Sequence, residues 1–424
     1  GVQTCALPIY IPLREGGFYF ISEESPRMSG WVDDNLSKGY DYDFINSDVI
    51  EHIIEVKDGR LTLPSGVSYS LLVLPPLNTM RPEVLKRIKE LLEQGAYIIG
   101  KPIKRSPSLA NYPQCDYEIQ SLSNEIWASI DYQTKDRIER KIGKGKVFCN
   151  IPINEVLEKI RTPEAISFDT DAPILWKQRI LNKGSLFFLS NQEDSLISLD
   201  ISFNLKNYQP ELWNPVDGTI RKLDNFQFIN GRTVIPITLD SYESCFIVFK
   251  KRRIKSTKRE QTKEHILTTL DNNWDIEFFN KWTNEKILLK DNGLENWAES
   301  KDERLKYFSG KITYRNEIEI LKLPSEENIF LNFENLFEIA SISINGKYLD
   351  QEIWCRPFRV DISPHLKLGS NLLEIKVSNS WRNKIIEQNK LPKEERDLNY
   401  IFYSGEESLS PSGIWGEVKI TYYK

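Results

Sequence analysis

Aromatic and polar side chains near the carboxyl end of the chain are the residues best suited to chemistry. Trp354 and Arg356 stand two positions apart, and Trp381, Arg382 and Asn383 are consecutive. An aromatic ring can cover the apolar C–H face of a sugar, while guanidinium and amide groups bond its hydroxyls. This set predicts a carbohydrate-binding surface. The alternative is that the rings fill a core and that Arg356 pairs with a buried acid.

Acidic residues near the amino end form a second candidate group. Glycoside hydrolysis needs two carboxylates that face one bond, and Asp41 and Asp43 stand in a Tyr-Asp-Tyr-Asp run. Because the chain has 61 Asp and Glu residues, the sequence alone singles out no catalytic pair. We place Asp41 and Asp43 at the rim of a cleft, with solvated or helix-capping acids as the alternative. No catalytic residue is assigned.

Composition and motifs argue against several other classes of function. The three histidines and five cysteines form no cluster with metal-ligand spacing, so no metal or cofactor is predicted, and the cysteines read as small buried hydrophobes. Neither a Gly-x-Ser-x-Gly elbow nor a glycine-rich phosphate loop is present. With a net charge of -5 and no apolar run approaching about 20 residues, we expect neither a nucleic-acid nor a membrane partner.

The elements that must position these residues fall into an α/β part followed by two all-β parts. Residues 10–160 contain an apolar strand at 69–75, an amphipathic helix from Pro82 to Gln94 and a strand at 96–100, which predicts a flavodoxin-like domain. Residues 165–250 show short strands separated by Asn-Gly and Asp-Gly turns, typical of an antiparallel β-sandwich. Residues 270–424 carry about eight more strands, which suggests a jelly roll.

Two segments stand apart from these domains. Residues 251–269 are rich in lysine and arginine, and we interpret them as a solvated linker, with a basic patch for an anionic partner as the alternative. Residues 1–9 resemble translated adapter DNA at the end of a metagenomic reading frame. We exclude them from the fold and expect the chain to be truncated at its start.

Several of these stretches resemble one family of glycosidases. Residues 39–46 (Gly-Tyr-Asp-Tyr-Asp-Phe-Ile-Asn) resemble the segment that follows the catalytic barrel in family 106 α-L-rhamnosidases, and residues 210–218 look like the sandwich after it. Residues 307–310, 354–358, 379–383 and 412–416 resemble a galactose-binding-like jelly roll, similar to the sugar-binding domain of family 2 glycosidases.

The resemblance implies accessory domains of a larger enzyme. In that family an inverting mechanism uses two glutamates and a calcium ion, all within a barrel that precedes the part matched here. The implied partners are a carbohydrate and the missing amino-terminal barrel, and the implied parent is a periplasmic or secreted bacterial enzyme that hydrolyses terminal α-L-rhamnosides in plant or microbial glycans. We expect the chain alone to be inactive. A non-catalytic carbohydrate-binding protein and a family 2 β-galactosidase-like fragment are the alternatives.

Overall fold

The 424-residue chain folds into two compact units, Gly1–Arg259 and Glu260–Lys424. The computed structural model describes residues 8–10 (backbone only), 39–133, 135–182, 184–250, 264–270, 272–281, 283–324, 328–396 and 407–423. Most of the regular structure in these ranges is β-sheet, in several separate sheets. The boundary between the units falls in the predicted linker, of which residues 251–263 lie outside the described ranges.

The first unit begins with a mixed six-stranded sheet. Its strand order is β2-β1-β6-β7-β9-β8, and only the edge strand β8 is antiparallel to its neighbour. Strands β3 to β5 form a small antiparallel sheet beside it. The strands are β1 (Pro8–Tyr10), β2 (Asp43–Phe44), β3 (Glu55–Lys57), β4 (Arg60–Thr62), β5 (Ser68–Tyr69), β6 (Leu71–Val73), β7 (Tyr97–Ile99), β8 (Ile138–Ile142) and β9 (Gly145–Cys149).

Four helices connect these strands in the described part of the unit. They are α1 (Ser47–His52), α2 (Pro82–Gln94), α3 (Gln114–Trp127) and α4 (Ile153–Lys159). The prediction for α2 is confirmed, because Pro82 opens its first turn and Leu85, Ile88 and Leu92 are all buried on one face. Strand β6 is buried at every residue and parallel to β7, as predicted for the segment at 69–75. The finer flavodoxin-like assignment stays a prediction.

Strand β1 corrects the exclusion of residues 1–9 from the fold. Ile9 pairs with Leu72 on one side and with Asp43 on the other, so Pro8 and Ile9 contribute backbone to the sheet. Residues 1–7 lie outside the described ranges. The predicted boundary after Ile9 therefore cuts through a strand.

The second half of the first unit is an antiparallel sandwich of two sheets, ordered β10-β13-β17-β16 and β11-β12-β18-β14-β15. Inward and outward side chains alternate along β12, and Phe187, Phe203 and Phe249 meet in the core with centroids 4.9 to 5.9 Å apart. The strands are β10 (Ile166–Phe168), β11 (Ile174–Leu181), β12 (Gly184–Asn191), β13 (Ile197–Phe203), β14 (Gln209–Trp213), β15 (Ile220–Lys222), β16 (Gln227–Ile229), β17 (Arg232–Leu239) and β18 (Ser244–Lys250).

The second unit is a larger antiparallel sandwich, with sheets ordered β19-β28-β23-β26 and β21-β20-β22-β27-β24-β25. Its strands are β19 (Glu264–Thr269), β20 (Trp274–Asn280), β21 (Glu285–Asn292), β22 (Lys311–Ile320), β23 (Ile329–Phe337), β24 (Ile339–Ile344), β25 (Lys347–Tyr348), β26 (Arg359–Asp361), β27 (Gly369–Ser378) and β28 (Gly413–Tyr423). Helices α5 (Glu303–Lys306) and α6 (Arg382–Lys390) and the 3-10 turns Trp297–Glu299 and Lys393–Glu395 complete it.

Two details of this unit bear on the sequence predictions. Asn345 and Gly346 have φ angles of 53° and 77°, which confirms the two-residue hairpin turn between β24 and β25. Glu264–Thr269 is strand β19 and pairs with β28, although these residues were assigned to the linker. Local composition suggested a linker there because the strand is polar and mostly exposed, and its partner is more than 140 positions away.

Candidate functional site

A groove of about 320 Å³ opens at one end of the second unit, where three strand ends meet. Phe279 near the end of β20 pairs with Lys311 at the start of β22, and Lys311 pairs with Ser378 at the end of β27. We call this cavity the Trp381 groove. Its polar and aromatic lining includes Asn280, Lys281, Ser309, Lys311, Asn379 and Trp381.

Asn379 braces the floor of the groove. Its Oδ1 accepts a hydrogen bond from the Gly310 backbone N–H at 2.8 Å, and its Nδ2 donates to the Phe308 carbonyl at 2.7 Å and to Ser412 Oγ at 3.0 Å. Gly310 has a φ of 158°, and a Cβ there would lie 2.7 Å from the Phe279 carbonyl oxygen. A side chain at position 310 would therefore push the strand ends apart.

Trp381 supplies an exposed aromatic ring to the groove. The residue caps the amino end of α6 and remains 46% exposed, so its ring is open to a ligand. Lys281 and Lys311 are exposed donors on the same lining, and Asn280 adds an amide. An open ring beside several hydrogen-bonding groups can hold a sugar by stacking on its C–H face while the polar groups bond its hydroxyls.

Trp354 and Arg356 also belong to the set of residues predicted to bind carbohydrate, and they lie at the same end of the sheets as the groove. Trp354 is 59% exposed and follows Ile353, whose backbone pairs with Ala340 next to the start of β24. Arg356 stacks over Phe358 at 4.7 Å and donates to the Glu334 carbonyl at 3.3 Å. The alternative of a plugged core with Arg356 bound to a buried acid does not describe this arrangement.

Arg382 and Asn383 have bracing contacts. Arg382 pairs with Glu407 at 3.1 Å and donates to the Ser408 carbonyl at 3.2 Å. Asn383 is 4% exposed, and both ends of its amide bond the backbone of Ser410 at 2.8 Å. Of the five residues predicted to contact sugar, the structure thus leaves the rings of Trp354 and Trp381 open to solvent and places Asn383 in the interior.

Asp41 and Asp43, predicted at a cleft rim, form a cluster with a lysine of the sandwich. Asp41 is buried, and its Oδ1 accepts from Lys177 Nζ at 2.5 Å and from the Tyr42 N–H at 2.9 Å. Asp43 accepts from Lys177 Nζ at 3.4 Å and from the Tyr69 hydroxyl at 2.9 Å. The cluster ties the start of the α/β part to strand β11 within the first unit.

The electrostatics of this cluster follow from burial and pairing. Burial raises the pKa of the Asp41 carboxyl, and Lys177 offsets this only in part. Desolvation acts to lower the pKa of Lys177, but its bonds to the two carboxylates outweigh it and raise the pKa. Burial and the neighbouring Asp43 raise the pKa of Tyr69, so its hydroxyl remains a donor. The cluster therefore joins the α/β part to the sandwich through the contacts of Lys177 with Asp41 and Asp43.

Sequence reasoning missed three residues of these sites and left others without a role. Lys177, Lys281 and Lys311 carry no local pattern, since only the folded chain brings Lys177 to Asp41 and the other two lysines to one groove. Gly310 and Asn379 stood inside motifs that the resemblance quoted, which was a usable signal. Within the described ranges, no group of three or more His, Cys, Asp or Glu residues could hold a metal ion. In the same ranges, no helix is long and apolar enough to cross a membrane.

Comparison with known proteins agrees with this architecture. The family model for α-L-rhamnosidases of glycoside hydrolase family 106 matches residues 17–228, half of the chain. A second model, the galactose-binding domain-like domain of glycosyl hydrolase family 2, matches residues 283–410 and so includes most of the Trp381 groove. The first model lies in the first unit and the second in the second unit.

The chain spans less than half the length of the relatives that it matches. The solved rhamnosidase from Novosphingobium sp. PP1Y superposes with a TM-score of 0.78 and 26% identity, over 99% of this chain and 39% of that one. A Formosa agariphila protein named for β-glucuronidase activity is 31% identical over 249 residues, 57% of this chain and 20% of the relative. Another β-glucuronidase of that organism is 36% identical over 72 residues, 16% of this chain and 7% of its own length. By the family model and the structural match together, the chain belongs to glycoside hydrolase family 106, the α-L-rhamnosidases.

Proposed function

We propose that this chain supplies accessory domains to a glycoside hydrolase that releases terminal α-L-rhamnose, and that the Trp381 groove contacts the glycan. The observation that carries the second part is the half-exposed ring of Trp381 on the lining of a braced groove that also carries several hydrogen-bonding side chains. The rhamnoside as substrate rests on membership of the family. On the same basis, we propose that the six-stranded sheet is a flavodoxin-like support.

The architecture of the second unit supports a contact role. Its interior is apolar and continuous, with Trp274, Trp297 and Phe278 fully buried, so stability does not require an exposed ring at position 381. A large aromatic side chain left open beside donors is more typical of a binding surface than of a fold-stabilising one. The groove needs no residue of the first unit.

Calorimetric titration of the full chain with rhamnose-containing oligosaccharides tests the groove. A ring face of about 60 Å² covered by sugar contributes about 1.5 kcal/mol at about 25 cal/mol per Å², so Trp381→Ala should weaken binding about tenfold. Tyr348→Ala removes an aromatic ring of similar exposure (53%) elsewhere in the same unit and should leave affinity unchanged. Equal affinity of Trp381→Ala and the unsubstituted chain would exclude the groove as the contact.

The accessory role has its own test. We expect the 424-residue chain to release no 4-nitrophenol from 4-nitrophenyl α-L-rhamnoside, because the resemblance implies that the catalytic glutamates belong to a barrel that precedes the part matched here. Turnover above the background of a heat-denatured sample would contradict the accessory role. Glycan binding and hydrolysis are measured separately, so either half of the proposal can fail alone.

A further inference from the structure

A second cavity, of about 410 Å³, lies inside the first unit, away from every residue discussed so far as a sugar contact. Its walls come from strand β4, from the connection after α4, and from strands β11 and β12 with the loop after β13. The residues that carry the argument are Arg60, Arg161, Gln178, Ser185, Leu205 and Tyr208. We call it the Gln178 cavity.

The amide of Gln178 is the feature that points to a ligand. The side chain is 6% exposed, and its Nε2 lies 3.4 Å from Ser185 Oγ, while its Oε1 is buried without a hydrogen-bond partner among the described residues. If the amide were rotated so that Oε1 and Nε2 changed places, Oε1 would face Ser185 and Nε2 would be the atom without a partner among the described residues. A buried polar atom left unpartnered is destabilising, and Gln178 is one of the residues that line the cavity.

The charge of the cavity lining indicates that the ligand carries a negative charge. Arg60 and Arg161 both line the cavity, and its described lining contains no Asp or Glu. Arg60 is held in place by Ser68 and Ser70, with Nη1 donating to Ser70 Oγ at 2.6 Å and Nη2 to the Ser68 carbonyl at 3.0 Å. Within the described ranges no ion pair involves Arg161, which is exposed at the cavity edge. A guanidinium group favours a carboxylate, which it can bond with two donors, and Arg161 is the arginine placed to do so here.

The remaining wall is apolar. Ile180, Leu205 and the ring of Tyr208 line it and are only partly buried. A ligand for this cavity therefore needs a carboxylate, hydroxyl groups that can satisfy the Gln178 amide, and an apolar face. A hexuronate combines all three in one ring and is small enough for the volume.

We propose that the Gln178 cavity binds a hexuronate residue of an acidic glycan. The site is independent of the Trp381 groove, since it lies in the other compact unit and shares no residue with it. The chain would thereby recognise an acidic sugar in addition to any glycan contacted by the second unit.

Titration of the full chain with D-galacturonate and D-glucuronate tests the proposal. D-Galactose and D-glucose are probes that lack the carboxylate, and acetate is a probe that lacks the sugar ring and its hydroxyls. We expect binding of a hexuronate and at least about tenfold weaker binding of the neutral sugars and of acetate. Acetate binding as tight as the hexuronate would overturn the sugar class. Absence of hexuronate binding at millimolar concentrations would overturn the site.

Three variants locate the binding. Gln178→Met removes the amide at nearly constant volume and should lower hexuronate affinity about tenfold while leaving the thermal midpoint unchanged or higher. Arg161→Asn should lower affinity to a similar extent, because Asn tolerates the φ of 57° at this position. Arg179→Asn makes the same charge change at an exposed neighbour outside the cavity and should bind normally. Equal effects of Arg161→Asn and Arg179→Asn, or unchanged binding by Gln178→Met, would contradict the assignment.

Discussion

Removal of the Tyr314 hydroxyl tests how the core of the second unit supports the Trp381 groove. It accepts hydrogen bonds from Trp297 Nε1 at 2.7 Å and from the Ile414 backbone N–H at 3.2 Å, and all three residues are fully buried. Gly413 packs so closely that a Cβ there would lie 2.4 Å from the hydroxyl oxygen. Next to it, Ser412 accepts from Asn379, the residue that braces the groove floor.

Tyr314→Phe removes one atom and leaves two buried donors without an acceptor. Each such donor costs about 1–3 kcal/mol, and because the Ile414 bond is the longer one we expect a total loss of about 3 kcal/mol. In a unit of this size, each kcal/mol of lost stability lowers the melting temperature by about 2–4 °C. The expected fall for Tyr314→Phe is therefore about 6 to 12 °C. The volume of the core hardly changes, so cavity formation contributes little.

Differential scanning calorimetry of the full chain measures the shift. Hydrogen–deuterium exchange followed by mass spectrometry assigns it, because amides of β22 and β28 should lose protection while those of the first unit should not. Tyr348→Phe is the matched control, since Tyr348 is 53% exposed and its hydroxyl accepts from the Lys376 ammonium group. A Tyr314→Phe melting temperature within about 1 °C of the unsubstituted chain would refute the role given to this hydroxyl.

Two further predictions concern acid stability and cysteine reactivity. Burial acts to raise the pKa of Glu277 and Glu374, but pairing with lysines and Arg315 outweighs it and lowers both pKa values, so their contribution is present at neutral pH and lost as pH falls below about 4. Arg315→Met should therefore lower the urea midpoint at pH 7 and approach the unsubstituted chain near pH 3; an equal difference at both pH values would contradict this. Iodoacetamide at about pH 8 should label the partly exposed Cys355 well before Cys245, because burial raises the pKa of Cys245 to about 12; equal rates in peptide mapping would contradict it.

Local sequence was sufficient for the elements that depend on neighbouring residues. The all-buried run of β6, the amphipathic spacing of α2 between Pro82 and Gly95, and the Asn345-Gly346 turn were all predictable. Each rests on side-chain periodicity or on the φ that one residue type tolerates, which act over a few positions. The family also followed from motifs whose order along the chain is a property of the sequence.

Tertiary structure decided which of these residues face solvent and which meet across the fold. Trp381 and Trp297 are the same residue type, yet one is 46% exposed and the other fully buried, because only the packing of the folded unit places Trp297 in the core and leaves Trp381 at the surface. Lys177 reaches Asp41 across 136 positions, and Gln178 lines one cavity with Arg60 and Tyr208 only because the folded chain brings distant segments together. Burial and long-range pairing are collective properties of the packed chain, so the residue types of a short segment do not encode them.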